Sequence, residues 1–155
     1  MWIEFFAGFT PHVRLSEAPS ADDFMHVERE LGVSLPSDLT GVLSETNGAS
    51  FGLVAPGEDC LSYHCLVWST DEILEENVRL RKIAGENPSF CEPCEDLLFF
   101  ASTPNGDAAG FRISERQASG PAVVTMSHED NSRRELTGSL VNYFSGLLEV
   151  AAQMK

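Results

Sequence analysis

The stretch 31–52, LGVSLPSDLTGVLSETNGASFG, predicts an amphipathic helix that has signals for both of its ends. Apolar residues recur there at helical spacing and form one stripe, which consists of Leu35, Leu39, Val42 and Leu43. Pro36 suits the first helical turn, because its fixed φ is already helical and its missing N–H removes no hydrogen bond. Asn47 and Gly48 are expected to stop the helix, since both enter the left-handed conformation easily. The stretch predicts a buried helix and contains no catalytic pattern.

Further helices are indicated by apolar spacing and by capping residues. Residues 2–9 repeat aromatic side chains at i, i+3, i+4 and i+7, and a linker without a strong period follows over residues 11–20. Ser20 and Ser69 each precede a predicted helix, and each has an acidic residue three positions later, as in a capping box. The apolar stripe predicted for the helix after Ser69 consists of Ile73, Leu74, Val78 and Leu80. The stripe predicted for the closing helix consists of Leu140, Tyr143, Phe144, Leu147, Leu148 and Ala151.

Strands are predicted between these helices. Residues 49–54 and 61–68 are the first two, and the second alternates with a period of two. Three more short strands follow residue 97, with joints predicted at residues 104–107 and at Gly120-Pro121, as in an antiparallel meander. The prediction is an α+β chain, one domain over residues 1–155, with a mostly antiparallel sheet of about four to six strands and helices packed on it.

The charge balance restricts the class of partner. The chain carries 24 acidic and 10 basic side chains, a formal charge of −14, which disfavours direct nucleic-acid binding because phosphate contacts need Lys and Arg. The same charge would attract a basic protein. No apolar run reaches membrane-spanning length, and the apolar start contains Glu4 with no basic residue before it, unlike a signal peptide. We therefore expect a cytoplasmic protein without membrane contact.

Acidic residues concentrate in short segments that could form one negative surface if the fold brings them together. The alternative is a solvated face that only confers solubility. The candidate partner-binding residues are Glu58, Asp59, Glu92, Glu95, Asp96, Glu129 and Asp130.

Four cysteines raise the question of a metal site. Cys91 and Cys94 have zinc-knuckle spacing, and Cys60 and Cys65 could supply two further thiolates. The second pair is spaced less regularly, and Cys65 lies in a predicted strand, where a cysteine more often serves as a small buried hydrophobe. We expect neither a metal nor another cofactor, with zinc or a reversible disulfide as the alternatives.

The chain contains no P-loop, H-E-x-x-H or dinucleotide-binding motif. The run 128–130, His-Glu-Asp, could suggest a general base, but adjacent residues rarely converge on one reacting atom, so a polar turn is the simpler interpretation. Asn105-Gly106-Asp107 lacks the alternating acidic ligands of a calcium loop and is interpreted as a turn. The sequence predicts no catalytic residue.

The order of these motifs resembles the SUKH superfamily, which includes the fungal Smi/Knr-type cell-wall assembly regulators and many bacterial immunity proteins of polymorphic toxin systems. The likeness is carried by an acidic helix that ends in LG, then LP, a short amphipathic helix, and NG before an aromatic residue. LLFFASTPNGDAAGFRI and AVVTMSHED followed by SLVNYFSGLL extend it over essentially the whole chain. The resemblance implies a SUKH-like α+β fold.

The same resemblance implies a non-catalytic binding protein. One hypothesis is an immunity protein that neutralises a basic, nucleic-acid-targeting toxin by occluding its active site or substrate groove. A second is an intracellular scaffold or regulatory interaction domain of the Smi/Knr type. A small enzyme or metal-binding protein is a third, which the missing motifs disfavour.

Overall fold

The computed structural model describes residues 1–9, 12–54, 57, 61–89 and 91–153. Four helices and three strands are interspersed in the first half of the described chain, and four strands follow one another in the second. In chain order the elements are α1 Trp2–Phe9, β1 Val13–Leu15, α2 Ala21–Leu31, α3 Ser37–Leu43, β2 Ala49–Val54, β3 Leu61–Val67, α4 Thr70–Glu86, β4 Leu97–Ser102, β5 Ala108–Ser114, β6 Gln117–Met126, β7 Arg133–Thr137 and α5 Leu140–Gln153. The α+β prediction is confirmed.

The strands form two antiparallel sheets, β1-β2-β3 and β4-β5-β6-β7. The Trp68 N–H, one residue after β3, donates to the Phe100 carbonyl of β4 at 2.8 Å and connects the two sheets. The loop before α3 is bound to the start of β6, because the Ser34 N–H donates to the Arg116 carbonyl at 3.0 Å and the Ser34 carbonyl accepts from the Ala118 N–H at 3.1 Å. The sheet β4-β5-β6-β7 is the antiparallel meander that the sequence predicts after residue 97.

Three details of the strand prediction differ from the structure. The turn predicted at Gly120-Pro121 is wrong, because β6 runs through those residues. The β5–β6 turn lies instead at Glu115 and Arg116, which both adopt positive φ, 51° and 62°, without being glycine. The sequence does not predict β1 or β7. β1 has only three residues and pairs with the distant β2, whereas β7, RRELT, is too polar to show the alternation of a half-buried strand.

Both predicted capping boxes are present. Ser20 Oγ accepts from the Asp23 N–H at 3.3 Å, and Asp23 Oδ2 accepts from the Ser20 N–H at 2.7 Å. Ser69 and Glu72 make the same two bonds at the start of α4, at 3.2 and 2.8 Å. No helix in the described part of the chain is long and apolar enough to cross a membrane.

α3 ends earlier than the sequence indicates. It stops at Leu43 with Ser44 as the C-cap, so Asn47 and Gly48 are not its terminators. The Asn47 Oδ1 atom instead accepts from the Thr70 N–H at 2.7 Å, in the first turn of α4. At Gly48, whose φ is 102°, a Cβ would lie 3.2 Å from the Ser69 nitrogen. The NG pair therefore seats α4 against the end of α3.

The core gathers the apolar stripes of the helices around β4. Leu39, Val42 and Leu43 of α3 are fully buried, as predicted. In α5, Tyr143 packs edge-to-face on Phe100 of β4, with ring centroids 5.5 Å apart. The stripe predicted for α4 is wrong at one position, because Val78 is 51% exposed, and Asn77 is the neighbouring residue that faces the core.

Candidate functional site

The structure places five of the seven candidate acidic residues on exposed loops. Three lie in the loop before β4 and two in the turn between β6 and β7: Glu92, Glu95, Asp96, Glu129 and Asp130. Glu58 and Asp59 lie outside the described residues, as does Cys60. The acidic surface can therefore be traced over two of its three predicted segments.

Arg133, the first residue of β7, holds the two acidic loops together. Its Nη1 donates to Asp96 Oδ2 at 2.6 Å, and its Nη2 donates to the Pro93 carbonyl oxygen at 2.5 Å. Cys91 Sγ also lies 3.4 Å from Asn131 Oδ1. A guanidinium that bonds two acceptors of one loop restrains that loop geometrically, so residues 91–96 are fixed beside residues 127–132.

A cavity of about 480 Å³ lies between these loops, and Glu92 and Asp130 both line it. The hydroxyl and backbone N–H of Ser132 hold the pKa of Asp130 below its usual range, because they stabilise the ionised carboxylate. We call the surface formed by Glu92, Glu95, Asp96, Glu129 and Asp130 the acidic loop surface. Arg133, the cation that bridges the two loops, is largely buried beneath this surface.

The cysteines are not arranged as a metal centre in the part of the chain that is described. Cys91 and Cys94 are buried in the loop before β4, while Cys65 lies in β3. No group of three or more His, Cys, Asp or Glu side chains among the described residues could hold a metal ion. Burial raises the pKa of the Cys65 thiol to about 11 and also raises that of Cys94. Both thiols are therefore protonated near neutral pH.

His128 pairs with a distant carboxylate rather than with its neighbours. Its Nδ1 lies 2.8 Å from Asp107 Oδ1, and its backbone N–H donates to the same oxygen at 3.1 Å. Asn105 Nδ2 donates to Asp107 Oδ2 at 2.9 Å. These bonds lower the pKa of Asp107, with the His128 side chain as the largest cause. Asp107 thus joins the β4–β5 turn to the β6–β7 turn, and both segments are turns as predicted.

A groove that the sequence does not indicate lies beside α4. A cavity of about 470 Å³ lies there, and Trp68, Glu72, Glu76, Asp107 and Met126 are among its lining residues. It adjoins a cavity of about 750 Å³ in front of β3, with which it shares Trp68, Glu72 and Ser102. The acidic run 71–76, DEILEE, is the only hint of this groove in the sequence. It does not identify a binding site, because carboxylates near a helix N-terminus are also explained by the helix dipole.

Residues 21–144, which are most of the chain, match the sequence family SUKH_6, described as SMI1-KNR4 cell-wall. The chain belongs to the SUKH superfamily. Membership of this group, whose domains are generally non-enzymatic, supports a protein-interaction domain without catalytic activity. No curated protein shows a significant match to the chain.

The SUKH motif lies next to the first turn of α4. Asn47 and Gly48 seat the first turn of α4, as described above, and the buried Thr46 hydroxyl donates to the Gly48 carbonyl at 2.7 Å. The groove is lined by side chains from both halves of α4, among them Glu72 and Ile83. The signature residues of this SUKH domain therefore support the start of α4, and Asn47 and Gly48 also line the neighbouring cavity of about 750 Å³.

Proposed function

We propose that this SUKH domain is a cytoplasmic immunity protein that neutralises a basic, nucleic-acid-targeting bacterial toxin by binding it directly. The acidic loop surface would occlude the part of the toxin that grips a polynucleotide. The observation that carries the proposal is the Arg133 bridge, because it turns two acidic segments far apart in sequence into one negative face.

The negative net charge of the chain supports a positively charged protein partner. The chain has a formal charge of −14, and complementary charge mainly raises the association rate and selects among partners. A nuclease or deaminase that binds polynucleotide carries Lys and Arg at its substrate groove, so a negative face fits the same surface that the substrate uses.

The proposal predicts that a neighbouring reading frame encodes the toxin, and co-expression with that toxin tests it. We expect the wild-type chain to restore growth of cells that produce this toxin. The double variant Glu92→Lys/Asp130→Lys should lose protection, because it reverses two charges that line one cavity. The double variant Glu4→Lys/Glu149→Lys reverses two charges at exposed positions of α1 and α5. It is the matched control and should still protect.

Binding kinetics provide the second readout. The association rate of the purified pair should fall as salt rises, because screening weakens long-range attraction. A salt-independent association rate, or equal protection by the loop and control variants, would contradict the role given to the acidic loop surface.

A regulatory scaffold of the Smi/Knr type is the second candidate, and the description of the matched family as a cell-wall domain favours it. Affinity capture separates the two. Recovery of cell-wall or regulatory proteins in the absence of any toxin gene nearby would support the scaffold.

The extent of the domain is part of the proposal. α1 precedes the matched range and α5 extends past it, yet Trp2 of α1 and Leu148 of α5 belong to the same buried core. We propose that residues 1–155 form one SUKH-like domain.

A further inference from the structure

The groove beside α4 has an apolar floor and a carboxylate rim. Trp68 and Met126 are buried in its floor, 9% and 5% exposed, and Leu80 is half-buried beside them. Glu72 and Glu76 from α4 lie on one side, and Asp107 from the β4–β5 turn lies on the other. A side chain that entered this groove would meet hydrocarbon along its length and negative charge near it.

The charges in the groove do not cancel internally. Glu76 accepts from its neighbour Arg79 in α4 at 2.5 and 2.9 Å, an exposed i,i+3 pair of the kind that contributes little stability. Glu72 uses its Oε2 atom in the capping box, and one carboxylate can accept about four hydrogen bonds. Three carboxylates thus face one guanidinium and the His128 imidazole in the lining.

The groove is also continuous with the surface already assigned to the partner. Cys91 and Asn131 line both the α4 groove and the cavity between the acidic loops. A partner that covers the acidic loop surface would therefore reach the groove without leaving contact with this domain.

We infer that the α4 groove receives a lysine or arginine side chain of the protein partner. Such a side chain lays its aliphatic stem along apolar surface and keeps its charged end near carboxylates, which is the distribution that Trp68, Met126, Glu76 and Asp107 present. Arginine is among the residues enriched at interface hot spots, where an anchor fills a pocket. This inference rests on the proposed function and assigns a defined contact within it.

Titration of the isotope-labelled chain with blocked arginine, N-acetyl-arginine methylamide, tests the inference by NMR. We expect chemical-shift changes at the Trp68 indole N–H and at the amides of Ala108 and Met126. Blocked citrulline has the same shape without the charge and should cause much smaller changes. Equal responses to the two compounds, or arginine responses confined to other parts of the chain, would overturn the inference.

Two variants at neighbouring positions of α4 test which carboxylate interacts with the bound arginine. Glu76→Gln should weaken arginine binding by about two- to fivefold, the range of one partly exposed ion pair. Glu75→Gln, an exposed neighbour in α4 that does not line the groove, should leave it unchanged. Equal affinities of the two variants would contradict the inference, and their NMR spectra report directly whether both are folded.

Failure of the inference and failure of the proposed function give different results. Toxin neutralisation that depends on Glu92 and Asp130 without arginine binding at the groove would refute only the inference. Arginine binding at the groove without any effect on a toxin would refute only the immunity function.

Discussion

Asn77 of α4 supplies both hydrogen-bonding partners of the Phe99 backbone in β4. Its Oδ1 accepts from the Phe99 N–H at 2.9 Å, and its Nδ2 donates to the Phe99 carbonyl at 2.7 Å and to the Ile73 carbonyl at 2.7 Å. Asn77 is fully buried. One amide side chain therefore takes the place of a neighbouring strand at this position of β4.

Replacement of Asn77 by Ala should strongly destabilise the domain. The substitution leaves the buried N–H and C=O of Phe99 without these partners, and each unsatisfied buried group costs about 1–3 kcal/mol. Urea unfolding measures the loss. Asn142→Ala, at an exposed position of α5, should change stability by less than about 0.5 kcal/mol, and a similar loss in both variants would argue against the bridging role of Asn77.

Gly110 of β5 allows β4 to approach closely. A Cβ at this position would lie 2.5 Å from the Leu98 carbonyl oxygen and 3.0 Å from Phe99 Cα. Gly110→Ala should therefore destabilise the domain by about 1–3 kcal/mol through overpacking. A Cβ at Gly146 would meet no atom of another segment within 4 Å, so Gly146→Ala in α5 should instead stabilise by about 0.5–1 kcal/mol. Thermal denaturation should show opposite signs for the two variants.

Leu39 is the residue at which the apolar stripe of α3 can be tested. It is fully buried, so Leu39→Ala should cost about 2–5 kcal/mol in the free energy of unfolding. Val78→Ala removes a side chain that is 51% exposed on α4 and should cost less than about 0.5 kcal/mol. An unchanged urea midpoint for the Leu39 variant would show that the stripe does not contribute to the core.

Asp107 should make stability depend on acid. Its pKa is lowered from 3.8 in the folded state, chiefly by the His128 side chain, so the stabilisation is fully present above pH 3.8 and is lost as pH falls through the lower folded value. Asp107→Asn should lower the melting temperature at pH 7, and the difference from wild type should shrink below pH 3.8. Glu149→Gln is the control, and a difference that persisted unchanged into acid would contradict the assignment.

Local signals predicted local structure correctly. Ser20 and Ser69 start helices because the side chains that complete their capping boxes lie only three residues away. The turn predicted at Gly120-Pro121 is wrong because local preference was the only signal there. The pair disfavours a strand in isolation, but hydrogen bonds to the adjacent strands before and after it keep β6 continuous. The turn actually uses Glu115 and Arg116, whose positive φ no residue preference would indicate.

Contacts between distant segments account for what the sequence could not predict. Asn77 of α4 faces the core because its side chain bonds to the backbone of Phe99, 22 residues away. The acidic loop surface depends on the Arg133–Asp96 bond across 37 residues. The sequence identified the acidic residues of those loops, but not the arginine that positions them or the groove that adjoins them.

The charges of β7 also determine how the four-stranded sheet ends. A second copy of the chain that paired with all five residues of β7 in a two-fold antiparallel arrangement would place Glu135 directly opposite Glu135. A shift of that centre by one residue toward the N-terminus would place Arg134 opposite Arg134. Like charges in directly opposed positions destabilise an antiparallel pair, and charged edge strands protect sheets against aggregation. β7 thus disfavours edge-to-edge growth of the sheet and leaves the neighbouring loops open for a different protein.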